Sequence, residues 1–192
     1  YQMGNVASVV KAVRVLGFKN KLSDEKSDIE KATHIILPGV GAFGDGMSNL
    51  RRSGLIDVLA KRVLGDAVPF LGICLGMQLL ASRGYEFGEH QGLGWIPGEV
   101  IKLQSPRATH VGWDDIKIAR TDVLFKDLPD TNFYFVHSYH FKPKDEKIVT
   151  SHCTYGEPFA SSIRKDNIFA VQFHPEKSQQ SGLKLLENFL TA

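Results

Sequence analysis

Apolar residues are spaced as in helices and strands along the first half of the chain. A stripe with gaps of three or four positions predicts a helix between Asn5, its N-cap, and Gly17, its end. The members of that stripe are Val6, Val9, Val10, Val13 and Leu16. Short apolar runs at 34–37, where Pro38 ends the run, and at 68–73 predict buried strands.

Helices are predicted after each of these strands. The glycine-rich stretch 38–46 is expected to be a loop, and residues 55–63 a helix. A further helix at 75–81 follows the second strand directly. Alternation of strands and helices predicts a parallel sheet covered by helices on both faces.

The second half of the chain contains short strand candidates instead. They lie at 99–103, 133–137, 147–151, 161–164 and 168–173. Asp166 and Asn167 predict a hairpin turn between the last two, and the apolar residues of 183–190 predict a final helix. The predicted fold is therefore α/β, with a mostly parallel sheet flanked by helices and an antiparallel extension, in one domain spanning 1–192.

Composition narrows the class of protein. The 192 residues are 43% hydrophobic, which suits one domain, and 23 Lys and Arg against 21 Asp and Glu give a charge of +2. This balance favours neither a nucleic-acid nor a membrane partner. The two cysteines, Cys74 and Cys153, are expected to be thiols of a cytoplasmic protein. Cofactors and metals are not expected, since no metal-ligand spacing occurs.

Cys74 stands between glycines in the segment 72–76, after an apolar strand and before a helix. That arrangement is typical of a nucleophile elbow, in which a sharp turn holds the reactive side chain clear of the sheet. A helix N-terminus favours the thiolate, and the N–H of Leu75 would point at an oxyanion formed on the sulfur. The alternative is a buried structural thiol, which is our interpretation of Cys153.

A nucleophilic thiol needs a base, and His174 ends a predicted strand. Glu176 lies two positions on, so in an extended chain both side chains share a face, while Pro175 prevents a helical continuation. We expect Glu176 to orient the ring while His174 takes the thiol proton. Among the competing histidines, His34 and His90 lack an obvious orienting acid, whereas His137 could line a pocket.

The elbow segment 69–78 resembles the class I (triad) glutamine amidotransferases, which have a flavodoxin-like fold. Four further segments are similar to the glutaminase subunit of imidazole glycerol phosphate synthase in histidine biosynthesis. They are 37–43, 92–98, 135–139 and 171–178. The similarity covers essentially the whole chain.

The resemblance implies hydrolysis of glutamine by Cys74, His174 and Glu176. Val40 and Gly41 would add to the oxyanion hole, and three residues match positions that hold the substrate: Gln78, Ser138 and Tyr139. It also implies a heterodimer with a (β/α)8-barrel synthase. Ammonia would pass to that partner, which forms imidazole glycerol phosphate and aminoimidazole carboxamide ribotide, and the glutaminase would be almost idle until the partner binds its ligand.

Two segments depart from the family pattern. The chain starts at Tyr1 with Gln2 in place of a glycine, so a first strand is expected to be missing. The family's Pro-His-Met-Gly-Trp-Asn appears as residues 109–114, Thr-His-Val-Gly-Trp-Asp, near the side that faces the synthase. The partner could therefore instead be an amidino-sugar synthase of surface polysaccharide biosynthesis.

Other classes of function are disfavoured by particular residues. A non-catalytic regulatory scaffold would not need the Cys, His and Glu set. A phosphate-binding loop would require Gly-Lys-Ser/Thr after the glycines of 39–46. A glutaminase for pyridoxal phosphate synthesis would carry a different oxyanion loop from 38–41.

Overall fold

The structure is a computed structural model that describes residues 6–105 and 109–192, so the predicted N-cap Asn5 lies outside the described residues. The α-helices are α1 (Val6–Val15), α2 (Lys26–Lys31), α3 (Phe43–Arg52), α4 (Ile56–Ala60), α5 (Leu75–Gln78) and α6 (Gln179–Leu190). One π-helical turn, Lys61–Gly65, extends α4. Short 3-10 turns lie at Val123–Phe125, Glu146–Ile148 and Pro175–Lys177.

The described strands form three sheets. In chain order they are β1 (Ile35–Gly39), β2 (Phe70–Cys74), β3 (Arg83–Gly84), β4 (His90–Gln91), β5 (Gly98–Lys102), β6 (His110–Asp115), β7 (Lys117–Ile118), β8 (Asn132–His137), β9 (Tyr139–Pro143), β10 (Val149–Tyr155), β11 (Glu157–Lys165) and β12 (Ile168–Val171). The largest sheet has the order β1-β2-β12-β11-β10-β7, and the others are β4-β3-β5-β9 and β6-β8.

The largest sheet combines a parallel and an antiparallel part. β1, β2 and β12 are parallel, whereas β11, β10 and β7 continue the sheet antiparallel. Lys165 pairs with Ile168, so the predicted hairpin at Asp166 and Asn167 is confirmed. The predicted fold class, α/β with an antiparallel extension, is confirmed as well.

The central strands β2 and β12 are buried on both faces, as expected of parallel strands inside a sheet. Along β12, Ile168 and Ala170 pack into one core while Phe169 and Val171 pack into the other. The first core receives α3 and α4, and the second receives α1 and α6. Two helical layers therefore enclose the strands that carry Cys74 and lead to His174.

The expected loop at 38–46 is wrong in extent, because α3 already begins at Phe43. Two of the glycines in this stretch, Gly44 and Gly46, are tightly packed. A Cβ on Gly44 would lie 2.7 Å from the His90 ring, and one on Gly46 would lie 3.0 Å from Leu75. The expectation that Pro38 ends its strand is also wrong, since β1 runs through Pro38 to Gly39. Among the described strands β1 pairs only with β2, and an edge position tolerates proline.

The helix expected at 75–81 is shorter, because α5 ends at Gln78. The next three carbonyls accept hydrogen bonds from the segment 92–96 rather than continuing a helical ladder. These bonds are Leu93 N to Leu79 O, Gly94 N to Ala81 O and Ile96 N to Leu80 O. Pro175 likewise does not exclude helical geometry, since it starts a 3-10 turn. Proline is accepted in a first turn because the missing N–H would have no partner there.

Candidate active site

Cys74 occupies a sharp turn between β2 and α5. Its backbone angles are φ 54° and ψ −109°, a region that residues with a Cβ rarely adopt. Such strain is typical of functional positions, where the surrounding structure enforces it. The nucleophile elbow predicted from the flanking glycines therefore has the expected strand-turn-helix form.

The two glycines of the elbow allow the strand and helix to approach closely. A Cβ on Gly76 would lie 1.8 Å from the carbonyl oxygen of Leu37 in β1. A Cβ on Gly72 would lie 2.7 Å from the carbonyl oxygen of Gly76. Side chains at either position would force α5 away from the sheet, so the turn that presents Cys74 depends on both glycines.

His174 and Glu176 form a buried pair beside Cys74. Nδ1 of His174 lies 2.8 Å from Oε1 of Glu176, and both side chains are 2% exposed. The turn that carries His174 and Glu176 is hydrogen-bonded to β8. His174 N donates to Tyr134 O at 2.9 Å, and the Ser178 hydroxyl donates to His174 O at 2.7 Å and accepts from Tyr134 N at 3.0 Å. These bonds hold the ring in place.

The electrostatics of His174 suit an acid–base group. Burial lowers the pKa of His174, but its interactions with the Cys74 sulfur and the Glu176 carboxylate outweigh that effect and raise the pKa to about 9. Nε2 is buried and has no hydrogen-bond acceptor or donor within the described chain apart from the neighbouring thiol. The ring is therefore oriented by Glu176 on one side and open to Cys74 on the other.

The residues expected to form an oxyanion hole lie at the ends of adjacent strands. Gly39 and Cys74 are register partners in β1 and β2, so Val40 and Gly41 follow β1 beside the nucleophile. Gly41 has φ 104°, which only glycine adopts easily. Leu75 is the first residue of α5, directly after Cys74.

Two of the residues expected to hold the substrate, Gln78 and Tyr139, are joined by a hydrogen bond. Gln78 is buried, and its Nε2 donates to Tyr139 O at 2.8 Å and to Gln172 Oε1 at 3.0 Å. The Ser138 hydroxyl lies 2.8 Å from the Thr109 hydroxyl. Gln78 is thus joined to Tyr139, the neighbour of Ser138, and its amide nitrogen is engaged by the protein itself.

Gln172 is a residue of this site that our sequence analysis did not select. It is fully buried, and its Nε2 lies 3.6 Å from Sγ of Cys74, within donor range for sulfur. Sγ also lies 3.9 Å from the carbonyl oxygen of Val136. The position of Gln172 two residues before the candidate base is the only sequence signal, and its contact with Cys74 depends on the fold.

Glu86 was also missed. Its Oε2 accepts a hydrogen bond from the N–H of Phe43 at 2.8 Å, so it caps the first turn of α3 just after the Val40–Gly41 loop. The segment 83–90 shows no periodicity that would have singled it out.

A second set of a cysteine, a histidine and an acid lies elsewhere in the fold. His110, Asp114 and Cys153 have potential ligand atoms within 4.8 Å of one another. Nε2 of His110 is 2.6 Å from Oδ2 of Asp114, a hydrogen-bond distance, whereas two ligands bonded to one zinc ion at ~2.0–2.1 Å would be roughly 3.3 Å apart. Burial raises the pKa of the Cys153 thiol to about 12. Cys153 therefore stays protonated in the middle of β10, unlike a nucleophile.

Comparison with known proteins defines the class. The glutamine amidotransferase class-I family matches residues 2–192. A solved structure described as a glutamine amidotransferase superposes with a TM-score of 0.78 at 23% identity, covering 98% of this chain and 94% of that one. The chain therefore belongs to the class-I glutamine amidotransferases, as the resemblance of its elbow indicated.

Curated relatives narrow the family further. The imidazole glycerol phosphate synthase subunit HisH 1 of Campylobacter jejuni (strain 81-176) is 47% identical, covering 98% of this chain and 96% of the relative. HisH of Aquifex aeolicus is 48% identical, with 98% and 92% covered. Within its class the chain is a member of the HisH family.

Proposed function

We propose that this chain is the glutaminase subunit of an imidazole glycerol phosphate synthase in histidine biosynthesis. It hydrolyses glutamine to glutamate and ammonia. The observation that carries the proposal is the strained Cys74 turn beside the buried His174–Glu176 pair, in a chain 47–48% identical to HisH subunits over 98% of its length.

The chemistry follows from the properties of these groups. The Cys74 sulfur attacks the side-chain carbonyl carbon of glutamine after its proton passes to Nε2 of His174. The imidazolium then protonates the departing nitrogen, so that ammonia leaves and a thioester remains. Water hydrolyses the thioester with His174 as base, which releases glutamate and restores the thiol. Glu176 holds the ring in the required tautomer throughout.

The loop after β1 and the start of α5 supply the groups that stabilise charge. We assign Val40, Gly41 and Leu75 to the oxyanion hole, since their backbone lies at the end of β1 and β2 where the oxyanion forms. We assign substrate contacts to Gln78, Ser138 and Tyr139. The carbonyls of Ser138 and Tyr139 already accept hydrogen bonds within the protein, so we assign the contacts to the remaining polar groups of these residues.

The acceptor of the ammonia is proposed to be a (β/α)8-barrel synthase bound as a heterodimer. The names of the relatives describe a subunit of a larger synthase. Exposed apolar residues on β6, Val111 at 57% and Trp113 at 43%, offer a docking surface. Trp113 packs edge-on against Tyr134, whose ring also lies under Lys177, the residue after Glu176. Docking there would bring the partner next to the candidate triad.

None of the helices within residues 6–105 and 109–192 is long and apolar enough to span a bilayer. Both cysteines are free thiols. Because such thiols persist in reducing compartments, we assign the reaction to the cytoplasm.

The test measures glutamate release with the barrel synthase and its ligand present. Cys74→Ala should abolish turnover, and Cys153→Ala, the matched control, should retain it. A glutamine-like diazoketone should label Cys74 alone. Absence of turnover in the wild type with every barrel synthase, or labelling of Cys153, would refute the proposal.

A further inference from the structure

A line of hydrogen bonds runs from the surface of the β6–β8 ribbon to the glutamine site. Oδ2 of Asp114 is 2.6 Å from Nε2 of His110, whose Nδ1 is 3.1 Å from Nε2 of His137. Nδ1 of His137 is 2.9 Å from the carbonyl oxygen of Tyr139. The two histidines are register partners on the ribbon and are almost fully buried, whereas the Asp114 side chain is 42% exposed.

The number of protons in this line of hydrogen bonds is fixed by the two acceptors at its ends, the Tyr139 carbonyl and the Asp114 carboxylate. The Tyr139 carbonyl can only accept, so His137 must donate from Nδ1, and its Nε2 must accept from Nδ1 of His110. A neutral His110 would then turn the lone pair of Nε2 toward an ionised carboxylate at 2.6 Å. Three contacts need three protons, and two neutral imidazoles supply two.

We propose that Asp114, His110 and His137 bind one additional proton as a unit, held on His110 against the Asp114 carboxylate, and that this unit positions the Tyr139 carbonyl in the glutamine site. The three residues are positioning residues, because none of them contacts Cys74. The proposal rests on the glutaminase function and adds to it a pH-dependent support of the substrate-binding segment.

The surroundings place the additional proton on His110. Burial lowers the pKa of His137 to about 3, so this ring stays neutral. Burial is the largest influence on the pKa of His110 and leaves it below the usual value, although the hydrogen bond that His110 donates to Asp114 opposes this effect. The His110 ring is stacked between Phe135 at 4.6 Å and Tyr155 at 4.1 Å, which excludes water from it. Titratable groups near the two rings, besides Asp114, are Cys153, Tyr155, His140, His174 and, beside Cys153, Asp115.

The Tyr139 carbonyl connects the unit to the reactive thiol. It accepts from Gln78 at 2.8 Å, Gln78 donates to Gln172, and Gln172 reaches Cys74 Sγ at 3.6 Å. When the additional proton leaves, each imidazole can move its remaining proton to the nitrogen nearer Asp114, which keeps the charge-assisted bond to the carboxylate and removes the bond from His137 Nδ1 to the Tyr139 carbonyl. The Ser138–Tyr139 segment then loses one of its supports, which should weaken glutamine binding more than the chemical step.

Asp114→Asn removes the need for the additional proton while keeping the shape of the side chain. The asparagine amide can donate to His110 Nε2, so all three contacts are satisfied by neutral rings at every pH. Asp115→Asn is the matched control, because Asp115 bonds Asn132 at 3.0 Å and lies outside the line. Each of the two substitutions removes one negative charge, so the variants have the same net charge.

The decisive measurement is the ¹⁵N spectrum of the histidine side chains between pH 5 and 8.5. The wild type and Asp115→Asn should show His110 with both ring nitrogens protonated at low pH and losing one proton as the pH rises. Asp114→Asn should keep His110 neutral throughout. A wild-type His110 that stays neutral at pH 5 would overturn the proton assignment.

Kinetics of the complex with the barrel synthase test the positioning role. The KM for glutamine of the wild type should rise about fivefold as the proton leaves, the effect of one lost hydrogen bond, while that of Asp114→Asn stays flat. If the wild type and Asp114→Asn turn over glutamine with the same dependence of KM on pH, the positioning role is refuted and the glutaminase function is not. Absence of turnover in the wild type would refute the glutaminase function. The ¹⁵N spectra would still show whether His110 carries the additional proton.

Discussion

Nδ1 of His174 lies 2.8 Å from Oε1 of Glu176, although a single proline separates the two residues in the chain. The Pro175–Lys177 turn folds the carboxylate back onto the ring, and both side chains are shielded from water. A charge acting at this distance in a dry environment is much stronger than a surface ion pair. It fixes the tautomer in which Nε2 is available to Cys74.

Glu176→Gln should therefore impair glutamine hydrolysis with little change in shape. The amide can still accept from Nδ1, but the negative charge that stabilises the imidazolium is lost. We expect kcat to fall about 10²–10⁴-fold, the usual contribution of an acid–base group, with KM for glutamine little changed. Glu187→Gln on α6, where the carboxylate pairs with the half-buried Lys184, is the control and should behave as the wild type. A loss of less than threefold in Glu176→Gln would contradict the orienting role.

The raised pKa of His174 predicts how the stability of the fold depends on pH. The folded value of about 9 exceeds the ordinary 6.5, so the protonated ring stabilises the folded state below pH 6.5, and this contribution is lost as the pH rises through 9. The full effect amounts to at most about 3 kcal/mol. Urea unfolding at pH 6 and pH 9.5 should show a larger loss of stability in the wild type than in His174→Gln.

Direct titration of the ring provides the check on that interpretation. In the wild type the His174 imidazolium should persist to about pH 9, whereas Cys74→Ala removes one of the two groups that raise its pKa. The titration midpoint should therefore move toward lower pH in Cys74→Ala. Midpoints near 6.5 in both proteins would show that the thiol and the carboxylate do not act on the ring.

The parts of the site that could be predicted from sequence are the ones encoded locally. Glycines on both sides of Cys74 predict a tight turn, and the spacing of His174 and Glu176 is short enough to bring them together in several backbone geometries. The fold class followed from apolar periodicity. Neither inference required knowledge of which strands are neighbours.

The parts that could not be predicted depend on strand register and packing. His110 meets His137 only because β6 and β8 pair in one register, and Gln172 reaches Gln78 only across β12 and α5. The helix α3 was interpreted as a loop because its glycines look like turn signals. Contacts with His90 and Leu75 leave little room for side chains at Gly44 and Gly46, and these partners lie far away in sequence.

Gly76→Ala should damage both stability and activity. Its Cβ would lie 1.8 Å from the Leu37 carbonyl, a backbone atom that cannot move without shifting β1. Overpacking of this kind costs about 1–3 kcal/mol and can cost more. Gly65→Ala is the control, since its Cβ would meet nothing within 4 Å, and it should change stability by less than about 1 kcal/mol. Urea unfolding of the two variants gives the comparison. Equal stabilities would show that α5 can move away from β1 freely.

Trp113→Ser should weaken association with the barrel synthase without altering the glutaminase subunit alone. Trp113 is 43% exposed on β6 and contacts Tyr134, so its ring supports an apolar surface next to the His174–Glu176 turn. Large aromatic residues at the centre of an interface commonly contribute 2 kcal/mol or more, so we expect Kd to rise about 30-fold or more. Phe87→Ser is the matched control, because Phe87 is 87% exposed and lies elsewhere on the surface. Titration calorimetry measures both affinities. If Phe87→Ser weakens binding and Trp113→Ser does not, the docking surface lies on the β3–β4 side instead of the β6–β8 ribbon.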